Sequence, residues 1–121
     1  MINEAIQKLL NKPYGADLVG QSRKYVCWTF CQEVYSLLGL ELQQSFHERN
    51  LTRIPAPTLN CIVLFQMAGE WHAGIVYPDT LHFIHASPLN PHDRDNTEYV
   101  ACKEHLTGWP YKLAIEGYYA P

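Results

Sequence analysis

Three residues carry side chains that together could break an acyl bond: Cys27, His72 and His85. A cysteine attacks as its thiolate, and a helix N-terminus with a neighbouring imidazole brings the thiol pKa down toward neutrality. His72 would take the thiol proton and later return one to the leaving amine. A third polar group must hold that imidazole in the right tautomer, and His85 is the candidate. Singly, these residues read more plainly, since a free cysteine packs like a small hydrophobe and histidine is an ordinary strand residue. Chemistry depends on elements that bring the three together.

The apolar pattern predicts those elements. Ile2, Ala5, Ile6, Leu9 and Leu10 recur at helical spacing, with Asn11 and Pro13 as the stop. A loop with Gly15, Gly20 and Ser22 runs from Pro13 to about Tyr25. Cys27, Cys31, Val34, Tyr35 and Leu38 then trace one face of a second helix, which starts near Cys27 and closes at Gly39, where a left-handed C-cap is favoured. The stretch from Leu40 to Leu59, broken by Pro55 and Pro57, reads as irregular with one short helix near Ser45 to Asn50. The second half reads as β: Cys61 to Gln66, Trp71 to Tyr77, Leu81 to His85, Tyr99 to Cys102 and Leu113 to Tyr119, with turns at Ala68-Gly69 and Pro78-Asp79. Helices first and consecutive strands after predict an α+β domain, its helices packed on a roughly five-stranded antiparallel sheet. The Pro78 turn makes neighbours of the second and third strands, so His72 and His85 meet across a hairpin.

At 121 residues, 47% hydrophobic and 17% charged, the chain has material for one packed core, and residues 1–121 read as a single domain. A net charge of -3, with no basic cluster beyond pairs such as Arg23-Lys24, argues against nucleic acid as a partner. The longest apolar run, Cys61 to Phe65, falls far short of the roughly 20 residues that span a bilayer, so no membrane association is expected. Met1 to Leu10 lacks the basic-then-apolar order of a signal peptide. Synthesis in the cytoplasm is the expectation, with any export by another route. Four cysteines without such a signal point to reduced thiols. Six histidines raise zinc, but Cys27-x3-Cys31 does not match the paired knuckles of structural sites, and Cys61 and Cys102 lack partners at finger spacing. No metal is expected.

Five segments occur in order: Asn11-Lys12-Pro13-Tyr14-Gly15, Cys27-Trp28-Thr29-Phe30-Cys31-Gln32-Glu33-Val34-Tyr35, Leu59-Asn60-Cys61-Ile62-Val63-Leu64-Phe65, Trp71-His72-Ala73-Gly74-Ile75-Val76-Tyr77 and Phe83-Ile84-His85-Ala86-Ser87. Together they resemble the NlpC/P60 cysteine peptidases: the Pro-Tyr-x-x-Gly segment, the catalytic-cysteine helix, the Pro-Gly-Asp-Leu-Val-Phe-Phe strand, the His-Val-Gly-Ile-Tyr strand, and the strand ending in the third catalytic residue. The Cys27-Trp28 pair and Ile115-Glu116-Gly117-Tyr118-Tyr119 resemble phage tail members. The resemblance implies a papain-like α+β fold and hydrolysis of peptide bonds in bacterial cell walls, often between D-glutamate and diaminopimelate. It makes Cys27 the nucleophile, His72 the general base and His85 the orienter, without a cofactor. Tyr14 would stabilise the oxyanion or hold substrate, and Trp28 would form part of the cleft wall. It also implies a peptidoglycan stem peptide as substrate, delivery by a phage or secretion machine, and a tail-tip or immunity protein as partner. A monomer is expected.

The departures from the family pattern are Val26 in place of Asp, Trp28-Thr29 in place of Ser-Gly, and Cys61 in place of the strand Asp. They alter substrate choice or mark a decayed site. Two other readings stay open: an acyltransferase or amidase acting on a non-wall substrate through the same thioacyl intermediate, and a non-catalytic module of tail assembly. Among the remaining residues, His82 points to the strand face opposite His85 and reads as surface, while His47, His92 and His105 read as solvated. Cys31, Cys61 and Cys102 read as buried. Arg23-Lys24 reads equally as a solvated pair or a contact for substrate carboxylates, and Trp28, Trp71 and Trp109 as cleft or core.

Overall fold

The computed structural model describes residues 2–42, 51–67, 69–93 and 95–120. The short helix expected near Ser45 to Asn50, and His47 with it, lie outside these residues. Helix α1 is Ile2–Leu9 and helix α2 is Arg23–Leu37. Seven strands follow the chain as β1 (Lys12–Tyr14), β2 (Thr52–Ile54), β3 (Ile62–Met67), β4 (Glu70–Val76), β5 (His82–Pro88), β6 (Tyr99–His105) and β7 (Ile115–Ala120). They form one antiparallel sheet in the order β1-β6-β5-β4-β3-β7-β2. Among the described residues, no helix is long and apolar enough to cross a membrane.

The α+β class is as expected, but the sheet has seven strands rather than about five. The two unforeseen strands, β1 and β2, are three-residue edges whose partners are β6 and β7. Such short edges carry no periodicity to read, and Pro13 is tolerated in β1 because an edge strand has a free side. The C-terminal strand β7 lies inside the sheet, between β3 and β2. β5 runs on to Pro88, so His85 is in mid-strand rather than at its end, and β6 runs on to His105.

α2 lies over β4 and β5, with α1 beside it. Its buried Val26, Phe30, Cys31 and Val34 meet Ile62, Leu64, Ala73, Ile75, Ile84 and Ala86 on one face of the sheet. A second core on the far face gathers Cys61, Val63, Phe65, Val76, Phe83 and Leu106. β3 is thus buried on both faces, which explains its unbroken apolar run. The helix ends as the sequence predicts: Gly39, at φ 75, donates to Ser36 O (3.1 Å), and Leu40 donates to Tyr35 O (2.8 Å). The Tyr35 hydroxyl donates to Asn60 O (2.6 Å), fixing α2 to the start of β3.

Gly74 governs how closely β4 and β5 approach. A Cβ there would stand 2.9 Å from Ile84 O, 2.9 Å from Phe83 Cδ2 and 3.4 Å from His85 Cβ. Gly74→Ala must push the strands apart, and we expect a loss of about 1–3 kcal/mol of stability, the usual cost of overpacking, in urea unfolding. The wild-type midpoint retained by this variant would show that the strands can yield without cost.

Candidate active site

α2 begins four residues before Cys27. Ser22 is its N-cap, with Oγ accepting from the Tyr25 N–H (3.4 Å). Cys27 therefore lies past the first turn, where the helix dipole acts most strongly, and not at the N-terminus as expected. The thiol sits where the sheet opens. β4 and β5 pair at Ile75–Ile84 and Val76–Phe83; the Ala73 N–H donates to Cys27 Sγ (3.3 Å), and the thiol donates to Lys24 O (3.2 Å). Burial pushes the Cys27 thiol up to about 12, against the downward pull of the Ala73 N–H, the Arg23 charge and the N–H groups of Cys27 and Trp28. At neutral pH the resting residue is a thiol, contrary to the lowered pKa that the sequence suggested.

The two histidines meet as expected. His72 Nε2 and His85 Nδ1 are 2.6 Å apart, with the rings at 77°. Both are fully buried, on the sheet face that carries Phe65, Phe83 and Tyr111. Burial lowers the pKa of each; His85 and Arg23 lower His72 further, while Glu104 opposes the fall at His85. His72 Nδ1 is buried without a hydrogen-bond partner among the described residues. Cys27 and His72 are neighbours through Ala73, with the Cys27 sulfur held by Lys24 O and the Ala73 N–H.

On its outer side, His85 Nε2 stands 3.4 Å from Cys102 Sγ and 3.5 Å from Glu104 Oε2. These two residues, two apart on β6, share a strand face, and Cys102 pairs with His85 in the ladder. The Tyr111 hydroxyl donates to Glu104 as well. Cys102 is half-buried rather than a core residue. His85, Cys102 and Glu104 offer donor atoms all within 4.8 Å of one another, compact enough for a cation. Sequence reasoning missed Glu104 because it ended the strand at Cys102; Lys103, Glu104 and His105 are all polar and carry no alternation that would extend it.

The remaining candidates divide. The Tyr14 hydroxyl donates to Glu33 Oε1 (3.4 Å) and its ring stands edge-on to Phe30, so a role at an oxyanion requires that donor to be redirected. Trp28 is buried in the main core rather than set in a cleft wall. Arg23 is buried, with a charge felt by Cys27, His72 and His85. It lines a surface depression of about 300 Å³ with Gln66, Met67, Trp109, Pro110, Leu113 and Ala114. A second depression, about 260 Å³, is lined by Ser22, Lys24, Gly69, Glu70 and Trp71. Neither is lined by Cys27, His72 or His85. Cys31 and Cys61 are buried as expected, and His92 and His105 are exposed. His82, half-buried, takes up Asp79 at 2.8 Å.

The fold has a solved counterpart. Over 98% of its length the chain is similar to the crystal structure of a protein described as similar to a lipoprotein of the NLP/P60 family, from Staphylococcus aureus, with a TM-score of 0.64 and 19% identity. The chain spans 39% of that protein's chain. No family model matches the chain, and no curated protein matches it. At that identity the likeness is one of fold.

Two outcomes follow. Iodoacetamide on the native protein should label Cys102 first and leave Cys27, Cys31 and Cys61 protected, as read by peptide mapping; early labelling of Cys27 would contradict the enclosed thiol. The second concerns acid. The folded pKa values of His72 and His85 lie below the ordinary imidazole value, so the unfolded chain binds the extra protons. Their contribution is complete above about pH 6.5 and is lost as pH falls below it, at up to about 1.4 kcal/mol per pH unit for each imidazole. Melting temperature should fall from pH 6.5 to 5, with a shallower slope in His72→Gln.

Proposed function

We propose that the protein is a cysteine peptidase of the NlpC/P60 type, cleaving the stem peptide of bacterial peptidoglycan. The observation that supports this most is the 2.6 Å pair of buried imidazoles beside the Cys27–Ala73 contact, in a fold like that of an NLP/P60 protein. In the reaction the Cys27 thiol gives up its bond to Lys24 O, and His72 takes its proton as sulfur attacks the carbonyl carbon. The amine leaves with that proton, and the thioacyl-enzyme is hydrolysed by a water that His72 deprotonates. Because thiol and imidazoles are enclosed, substrate has to open a path from one of the two depressions. The D-glutamyl-diaminopimelate bond as target, delivery by a phage tail or secretion machine, and a tail-tip or immunity protein as partner belong to the same reading.

A second reading, a non-catalytic assembly module, draws on the thiol held near pKa 12. Digestion of purified sacculi and soluble muropeptides separates the two. The wild type should release new peptide ends by mass spectrometry, and Cys27→Ala and His72→Ala should each lose about 10³-fold or more in rate. No release by folded wild-type protein, or equal release by Cys27→Ala, would overturn the peptidase.

A further inference from the structure

We propose that Glu104 is a positioning residue that sets the tautomers of both histidines, and so determines whether His72 Nδ1 carries a proton or a lone pair. The consequence for catalysis rests on the peptidase reading; the tautomers themselves do not.

A neutral imidazole carries one N–H and one lone pair. At the 2.6 Å junction of His72 Nε2 with His85 Nδ1, one nitrogen donates and the other accepts. If His85 holds its proton on Nδ1, it donates to His72 Nε2, and the His72 proton is forced onto Nδ1. That nitrogen is then blocked as a base. If His85 holds its proton on Nε2, its Nδ1 accepts from His72 Nε2–H and the His72 Nδ1 lone pair is open. The tautomer of His72 is therefore decided one hydrogen bond and one ring away, at His85 Nε2.

Two groups face that nitrogen, Glu104 Oε2 and Cys102 Sγ. An ionised carboxylate only accepts hydrogen bonds, whereas a thiol is a weak donor and a weak acceptor. The Glu104 carboxyl is held below the usual range by its bond to His85 and by the Tyr111 hydroxyl, burial opposing them, so it is ionised at neutral pH. It therefore demands a proton on His85 Nε2. Tyr111 fixes this demand in place: its hydroxyl bonds Glu104 while its ring stands edge-on to His85, at 5.4 Å and 84°. Among the described residues His72 Nδ1 has no partner, as befits an open lone pair. The opposite tautomer would bury an N–H with nothing to accept it.

The test uses the full chain labelled with nitrogen-15. Two-bond proton–nitrogen spectra at neutral pH report which ring nitrogen of each histidine is protonated, with His72→Gln and His85→Gln as assignment controls. The wild type should show Nε2–H at both residues. Glu104→Leu should lose that single tautomer, Glu104→Gln should restore it through the amide oxygen, and Cys102→Ser should keep it. Peptide release should fall about 10–100-fold in kcat in Glu104→Leu, with KM unchanged, and recover in Glu104→Gln. A wild-type His85 protonated on Nδ1, or unchanged tautomers in Glu104→Leu, would overturn the proposal. If Glu104→Leu does not fold, the wild-type and Glu104→Gln spectra still decide it. Tautomers as stated, with no peptide released by any form, would remove the peptidase reading alone and leave the role of Glu104 standing.

Discussion

A hydrogen bond between two uncharged, enclosed imidazoles joins β4 to β5 close to where their backbone ladder pairs Ile75 with Ile84. Much of the surrounding architecture answers to it. Gly74 supplies the room, since any side chain there would meet Ile84 and Phe83 before the rings could approach. Phe65, Phe83 and Tyr111 surround the rings with aromatic edges and faces. The same apolar shell keeps both imidazoles neutral, and neutrality is what allows one to donate and the other to accept. A protonated pair would put two donors face to face.

The histidine pair was legible in the sequence because its determinants are local. Alternation marks the two strands, Pro78 marks the turn between them, and parity puts both rings on one face. The helix that carries Cys27 was legible in its face and its C-terminal glycine, but not in its start. Ser22 caps it through Tyr25, and Arg23, Lys24 and Tyr25 form a first turn with too few apolar residues to register as periodic. Glu104 was invisible for a related reason: a carboxylate on an extended strand reads as solvent-facing, and only the register with His85 and Phe83 shows what it faces. β1 and β2 owe their existence to partners far away in the chain, which no local pattern encodes.

The replacements at the family's acidic positions fit the packing found here. Val26 is fully enclosed in the core between α2 and the sheet, and Cys61 in the core of the opposite face. A carboxylate at either position would be taken out of water without a visible counter-charge, at a cost of several kcal/mol. Arg23 is the buried charge that Cys27, His72 and His85 share.

Arg23 alone does not make the thiolate. A positive charge favours the thiolate but disfavours the imidazolium, so it lowers both pKa values and leaves their order unchanged. A thiolate–imidazolium pair needs the order reversed, with the thiol more acidic than the imidazolium. The largest influence on both groups is burial, which raises the one and lowers the other. Letting water or a polar substrate reach the sheet opening would bring the two values toward each other from both sides. Activation would then consist chiefly of uncovering groups already in place. The Arg23 depression, with exposed Trp109 and Leu113 on its wall, lies at the N-terminal end of α2.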